Sequence, residues 1–157
     1  MTEAAWRLRP LRSEDHERIA ALIRCCFAAQ SVATDPPPSA LRETAAGVAA
    51  MAGGAVASLA DTTPVGVVLW TERKAGLYVG RLAVAPRWRR QGIARALLAA
   101  AEAEARSRGL ACVFLSTRLV LADNRRLFAG CGFVEIAQHA HPGYDHPTFV
   151  EAEKRLR

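Results

Sequence analysis

The chain has 157 residues, of which 51% are hydrophobic and 23% charged, a composition typical of a globular protein and not of a disordered one. No apolar run reaches the ~18 residues of a membrane span, and the N-terminal segment lacks the apolar core of a signal peptide, so we expect a cytoplasmic protein without a membrane partner. A formal net charge of +6 favours an anionic partner, either nucleic acid, anionic lipid or a phosphorylated cofactor. The length predicts a single domain over residues 1–157.

The first part of the chain predicts one strand followed by two helices. Apolar and basic residues alternate over Trp6–Leu11, as in a half-buried strand. Ser13 is a candidate N-cap, and the apolar spacing after it predicts a helix over residues 14–29. The prolines within Thr34–Ser39 interrupt regular structure, and a second helix is predicted over Ala40–Met51.

The rest of the chain predicts six strands and two helices. The strands cover Ala55–Leu59, Val65–Thr71, Gly76–Val84, Leu110–Ser116, Val134–His139 and Thr148–Lys154, and the helices cover Gly92–Ser107 and Asn124–Gly130. The order is therefore β-α-α-β-β-β-α-β-α-β-β. Runs of consecutive strands favour antiparallel pairing, whereas the central β-α-β favours one parallel pair. We predict an α/β (α+β) fold with a mixed, mostly antiparallel sheet of about seven strands flanked by about four helices.

Arginines crowd the start of the helix predicted from Gly92. Arg87, Arg89, Arg90 and Arg95 lie where the helix dipole prefers anions. The first helical turn offers backbone N–H groups without intrahelical partners, which can hold a phosphate, and Gly92 lets the backbone approach a ligand closely. The sequence contains neither a P-loop nor a dinucleotide fingerprint. The alternative is a solvated basic helix start with no ligand.

Two motifs resemble those of the GNAT superfamily of acyl-CoA-dependent N-acetyltransferases. The family signature, Arg/Gln-x-x-Gly-x-Gly/Ala after a strand, is matched by Arg89-Arg90-Gln91-Gly92-Ile93-Ala94. The preceding segment, Arg81–Pro86, looks like the central strand of the family. A short helix that ends in Gly-Phe is matched by Asn124–Phe133. The order of elements agrees as well, so the resemblance covers nearly the whole chain.

The resemblance implies that acetyl-CoA binds between two splayed strands, Gly76–Val84 and Leu110–Ser116. Backbone groups of Leu82 and Val84 would bond the pantetheine arm, and the N–H of Leu82 would stabilise negative charge on the thioester oxygen. Backbone N–H groups across Arg90–Arg95 would hold the pyrophosphate. The implied cofactor-binding residues are Leu82, Ala83, Val84, Arg89, Arg90, Gln91, Gly92, Ile93, Ala94, Arg95, Asn124 and Phe128.

The reaction implied is direct attack of a primary amine on the thioester, for which the ammonium must first lose a proton. Relatives often have a tyrosine four residues before the Gly-Phe pair, as acid for the departing thiolate. Phe128 occupies that position and has no proton to give, but it could pack against the cofactor or in the core. The asparagine that many relatives have seven residues earlier is replaced by Leu121. Asn124, one helical turn closer, could contact the cofactor or cap the helix.

Five residues are candidates for proton transfer or acceptor binding. Glu72 and Tyr78 could accept the proton of the ammonium, and Arg81 could bind a carboxylate of the acceptor. Tyr144 and His146 lie between the last two strands, in a loop that commonly lines the acceptor site of the family. We therefore predict Leu82, Glu72, Tyr78 and Tyr144 as catalytic residues, and Arg81, Tyr144 and His146 as acceptor-binding residues. Each side chain could instead be a solvated surface group.

Other functions remain open at this point. His139, His141 and His146 could bind zinc, but no Cys or Glu completes a familiar ligand set, so we expect no metal. A nucleic-acid partner is not expected, because no basic stripe interleaved with aromatic residues and no helix-turn-helix pattern is present. Phe128 keeps open a non-catalytic module that only binds acetyl-CoA. The expected enzyme acts on a small-molecule or peptide amine, as a monomer or homodimer.

Overall fold

The computed structural model describes residues 5–74 and 76–157. The strands are β1 (Trp6–Pro10), β2 (Gly53–Leu59), β3 (Pro64–Arg73), β4 (Gly76–Val84), β5 (Cys112–Arg118), β6 (Val134–His139) and β7 (Phe149–Arg155). The α-helices are α1 (His16–Ala28), α2 (Ala45–Ala49), α3 (Ile93–Ser107) and α4 (Ala122–Gly130). The predicted domain also includes residues 1–4 and 75, which lie outside the described residues.

The seven strands form one mixed sheet in the order β1-β2-β3-β4-β5-β7-β6. The pair β4–β5 is parallel, and the other neighbouring strands run antiparallel. The predicted fold class is therefore confirmed. No helix of the described part is both long and apolar enough to span a membrane.

Two hydrophobic cores, one on each face of the sheet, fix the helices in place. The apolar stripe of α1, including Ile19 and Ile23, packs with Val67 and Leu69 of β3 on one face. On the other face Leu97 of α3 is fully buried among side chains of β3, β4 and β5. Side chains alternate along a strand, so each central strand contributes to both cores.

The predicted second helix is wrong as a continuous element. Ser39–Arg42 forms a 3-10 turn, Glu43 is extended, and the short α2 begins only after Thr44. The hydroxyl of Thr44 accepts the N–H of Gly47 at 3.0 Å, which caps α2. Glu43 meanwhile accepts the Arg81 Nε–H at 3.2 Å, so a contact with β4 holds the chain out of the helix.

Two predicted N-caps are also wrong. Ser13 lies in a 3-10 turn before α1, and the capping carboxylate belongs to Asp15, which accepts the backbone N–H of Arg12 at 2.8 Å. Asn124 does not cap α4, because that helix already begins at Ala122. The remaining boundaries shift by up to a few residues; the largest consequence is that β5 extends to Arg118.

The parallel pair opens into a fork near its middle. Only Gly76–Val79 of β4 pairs with β5, where Leu115 is the last partner. On the other side β4 stays paired with β3, but the register skips Gly80, since Leu69 faces Arg81 while Trp70 faces Val79. Such a bulge bends its strand. Beyond it β4 and β5 diverge.

Candidate active site

A groove of about 690 Å³ lies at the open end of this fork. Its walls come from the end of α1, from Leu82–Val84 of β4, from the loop and first turn of α3, and from the start of α4. These segments are far apart in sequence and meet because the β-α-β unit brings the carboxyl ends of β4 and β5 to one edge.

Backbone groups of β4 face the groove without a strand partner. Ala85 donates its N–H to Val65 of β3 at 2.8 Å. Because backbone groups alternate in direction along a strand, those of Leu82 and Val84 point away from β3. The carbonyl of Val84 accepts the Arg89 Nε–H at 3.2 Å, which agrees with this direction. The N–H of Leu82 therefore points into the open fork.

The start of α3 forms a concave set of backbone N–H groups. Gly92 is left-handed, with φ of +83°, and Ile93 is the first helical residue. A left-handed residue followed by a right-handed one turns successive N–H groups toward the same side, an arrangement that binds anions. Arg90 is also left-handed, with φ of +63°, although it carries a side chain. Residues with side chains that adopt this strained conformation are found mostly at functional sites.

Most of the implied cofactor residues line the groove. The lining includes Leu82, Ala83, Val84, Arg89, Arg90, Gly92, Ile93, Ala94, Arg95 and Asn124. Asn124 is exposed there and its side chain has no hydrogen-bond partner in the described part of the chain, so its side-chain amide is free for a ligand. Gln91 is exposed and is absent from the groove wall.

Phe128 does not reach the groove. Its ring is buried, with 8% of the residue exposed, and packs edge-on against Phe133 with centroids 6.1 Å apart. The expected cofactor contact of Phe128 is therefore not formed, because the ring faces the core between α4 and the sheet.

Apolar residues that the sequence analysis missed form the rest of the wall. Val32 and Val120 are 45% and 59% exposed and both line the groove. Phe27, Trp88 and Leu121 add further apolar surface. In the sequence these residues cannot be distinguished from core positions, since only the fold shows that they remain uncovered.

Glu72 is too far from the fork to take the proton of an amine. It pairs with Leu77 at the beginning of β4, five residues before Leu82, which corresponds to roughly 17 Å along a strand. Its carboxylate lies 3.7 Å from Arg108 at the end of α3. The structure therefore argues against the predicted role of Glu72.

Tyr78 lies on the face of the sheet opposite α3. Its neighbours Leu77 and Val79 are buried with α3, so the Tyr78 ring points the other way. The ring packs on Phe114 with centroids 5.2 Å apart, and the guanidinium of Arg73 lies 4.1 Å from its centre.

The guanidinium of Arg81 is bound to other side chains of the protein. Besides Glu43, it donates to the Ser39 hydroxyl at 3.2 Å. It holds the segment before α2 against β4, and this contact competes with the predicted carboxylate binding.

The loop between β6 and β7 reaches the loop that follows α1. Tyr144 donates its hydroxyl to Asp35 Oδ1 at 2.6 Å, and this bond raises the pKa of Tyr144 above its ordinary value. His146 is exposed, with Nδ1 2.9 Å from Asp145 Oδ1. Among the described residues no group of three or more His, Cys, Asp or Glu side chains is placed to hold a metal.

A thiol in the groove is chemically inert near neutral pH. Cys26 of α1 is buried, and burial raises the pKa of its thiol to about 11. The thiolate, which is the nucleophilic form, is therefore scarce. This argues against a covalent acyl-cysteine step.

The sequence model of the Acetyltransferase (GNAT) family matches residues 15–133. This range contains the fork, the arginine-rich loop and α4. The chain belongs to the GNAT acetyltransferase family. Membership places this GNAT protein among the acyltransferases. No curated protein matches its sequence.

Many solved structures share the fold. The nourseothricin acetyltransferase is 22% identical, with 97% of this chain and 99% of that chain covered and a TM-score of 0.74. The PaiA N-acetyltransferase of Thermoplasma acidophilum, solved with coenzyme A, is 18% identical over 98% and 100% of the two chains, with a TM-score of 0.77. The alanine N-acetyltransferase of a ribosomal protein from Escherichia coli is 19% identical over 96% and 93%, with a TM-score of 0.73. At these identities the likeness concerns the fold.

Proposed function

We propose that this GNAT protein transfers an acetyl group from acetyl-CoA to a primary amine of a small molecule or peptide by direct attack on the thioester. The observation that carries the proposal is the fork, where the N–H of Leu82 lies at one end of a groove and the anion-binding start of α3 lies along its wall.

The residues present fit acetyl-CoA. Gly92 and Ile93 present backbone N–H groups suited to a pyrophosphate, and Arg89 and Arg90 add positive charge beside them. The N–H groups of Leu82 and Val84 and the carbonyl of Leu82 can bond the amide groups of a pantetheine arm as a neighbouring strand would. The carbonyl of Val84 is already held by Arg89. The exposed Val32 and Val120 offer apolar surface to the remaining parts of acetyl-CoA.

The chain contributes binding, orientation and charge stabilisation to the reaction. When bound, acetyl-CoA supplies an activated acetyl group. The amine nitrogen forms the new C–N bond while the C–S bond breaks, and the amine gives up a proton as the thiolate takes one. The N–H of Leu82 stabilises the negative charge that develops on the thioester oxygen. Removal of one such donor costs about 3 kcal/mol in other enzymes, so a single backbone group is a sizeable contribution.

Phe128 favours a second candidate, a module that binds acetyl-CoA without turnover. Its buried ring supplies no proton for the departing thiolate. A thiolate leaves readily without an acid, so we prefer the enzyme. Turnover measured with a panel of amines distinguishes the two candidates.

The experiment is calorimetric titration with acetyl-CoA and with CoA, followed by thiol release in the presence of amines. We expect micromolar binding, weakened about tenfold or more in an Arg89→Ala, Arg90→Ala double variant, a loss of ~1.4 kcal/mol or more. The matched control is Arg106→Ala, Arg108→Ala, which removes the same charge from the other end of the α3 region and should bind normally. Absence of binding by the wild type would refute the cofactor assignment.

The cytoplasmic location and the monomeric or homodimeric state stay predictions, as does the absence of nucleic-acid and membrane partners. Size-exclusion chromatography with light scattering would test the oligomeric state.

A further inference from the structure

The face of β5 and β7 opposite α3 borders the fork on the side away from α3. Val113 and Leu115 of β5 and Ala152 of β7 are buried with α3. By alternation, Ser116 and Arg118 of β5 point to the other face, together with their β7 neighbours. We call this surface the acceptor face, because an amine that attacks a thioester in the fork can approach from it.

Arg118 is a half-buried cation on the acceptor face that forms no ion pair within the described residues, although the carboxylate of Asp35 is near enough to attract it. Its Nη1 donates to the carbonyl of Pro36, and a guanidinium has five N–H donors, so most of them stay available. Burial lowers the pKa of Arg118, which indicates that the cation has lost part of its hydration. Two other arginines of the sheet differ, since Arg81 and Arg155 both pair with glutamates.

Glu151 is a carboxylate in the complementary position. It lies directly opposite Ser116, the first residue of β5 beyond the pairing with β4. It is half-buried and has no hydrogen bond or ion pair within the described part of the chain. Other carboxylates on this side are engaged: Asp35 by Tyr144, Glu43 by Arg81 and Glu153 by Arg155. Glu151 is therefore an unpaired carboxylate on β7, one strand away from the fork.

Arg118 and Glu151 are diagonal neighbours. Arg118 pairs with Phe149 and Glu151 with Ser116, so the two charged residues share a face with Cβ atoms roughly 7 Å apart. They do not form an ion pair with each other. Long side chains at this separation can hold the two charged ends of one small molecule.

We propose that the acceptor is an aminocarboxylate, an amino-acid-like molecule whose carboxylate binds Arg118 and whose ammonium faces Glu151. This inference rests on the proposed acetyl transfer. Guanidinium binds a carboxylate in a bidentate manner, which fixes the orientation of the molecule. The amine then lies at the Glu151 end, next to the fork, and the carboxylate lies toward the end of β5.

Glu151 also completes the proton balance of the step. Its carboxylate accepts one proton from the ammonium. The neutral amine then forms the C–N bond as the C–S bond breaks, and a second proton from the amine nitrogen neutralises the departing sulfur. Glu151 thus takes the role that the sequence analysis had given to Glu72.

The test compares free amino acids with their carboxamides, which keep the amine and lose the carboxylate. Thiol release from acetyl-CoA gives kcat/KM for each pair, and calorimetry on the CoA-saturated protein gives the affinity of each amino acid without turnover. We expect at least one amino acid to be preferred over its carboxamide by about tenfold or more.

Arg118→Gln should abolish this preference in both turnover and binding, because it lowers kcat/KM for the amino acid much more than kcat/KM for the carboxamide. Arg118→Lys should restore part of it, and Arg155→Gln, which removes one arginine from the neighbouring strand, should leave it intact. Glu151→Gln should lower kcat by roughly a hundredfold, because the ammonium then loses its general base.

The outcomes separate the two proposals. Acetylation of amines without any preference for a carboxylate would overturn the aminocarboxylate and leave acetyl transfer standing. An equal loss on the acid and the carboxamide in Arg118→Gln would show that Arg118 only holds the Pro36 loop, and would also overturn it. Failure to bind acetyl-CoA would refute the proposed function itself.

Discussion

Replacement of Gly92 by alanine tests the anion site through the backbone alone. Gly92 has φ of +83°, and an added Cβ would meet no atom within 4 Å. Any effect must therefore come from backbone conformation and not from crowding. Gly109, just past the end of α3, is the matched control, because it has φ of +69° and equally empty surroundings.

Both alanine variants should lose similar stability. A left-handed conformation costs a residue with a side chain roughly 1–2 kcal/mol. For a chain of 157 residues each kilocalorie lowers Tm by roughly 2–4 °C, so we expect a decrease of about 2–8 °C for either variant. Differential scanning calorimetry measures it.

Only Gly92→Ala should weaken CoA binding. Relief of the strain rotates the N–H groups of residues 92 and 93 away from their common side. Loss of one charge-assisted hydrogen bond costs about 1.5–3 kcal/mol, which corresponds to a Kd raised by about ten- to a hundredfold. Calorimetric titration with CoA measures it. Equal Kd values for Gly92→Ala and Gly109→Ala would refute the proposed role of this loop.

Three further predictions concern the core, the acid range and the thiols. Hydrogen bonds from Arg9 lower the pKa of Asp15 below its ordinary value of 3.8. The Asp15 carboxylate therefore stabilises the fold above pH 3.8, and this stabilisation is lost as the pH falls through the lowered pKa. Asp15→Asn should lower the free energy of unfolding by about 2 kcal/mol at pH 7, and an unchanged Tm at pH 7 would contradict this. In Gly66→Ala the new Cβ would lie 2.7 Å from a methyl carbon of Ile93 in α3. We therefore expect the free energy of unfolding to fall by roughly 1–3 kcal/mol and CoA binding to weaken. Wild-type values of both Tm and Kd would contradict close packing of α3 on β3 at this point. Iodoacetamide at pH 7.5 should label the exposed Cys25 and spare Cys26 until the protein unfolds, because Cys26 is buried with a pKa of about 11; mass spectrometry that finds both labelled at the same rate would show the opposite.

Local patterns predicted the groups that we propose to bind the cofactor. The glycine and arginines of the loop before α3 are adjacent in sequence, so their chemistry could be interpreted without the fold. The fork followed from the β-α-β order, since this unit makes the pair of strands parallel. Gly92, Leu82 and Val84 all line the groove.

The acceptor side could not be predicted in the same way, because it depends on contacts between distant parts of the chain. Arg81 and Glu43 are 38 residues apart, and Tyr144 and Asp35 are 109 apart. No local pattern shows that Glu43 occupies Arg81 or that Glu151 is left without a partner. For Phe128 the sequence left two alternatives, a cofactor contact or a place in the core, since helix position alone does not show which way a ring faces; the structure shows the core.

The most direct test of the account is hydrogen–deuterium exchange of the amides with and without CoA. We predict slower exchange in three segments, residues 26–32, 82–95 and 120–127, with the largest effect at the start of α3. Peptides from β1 and from the outer strand β6 should exchange unchanged. Protection spread evenly over the chain, or none in residues 82–95, would contradict the conclusion that this groove binds the cofactor.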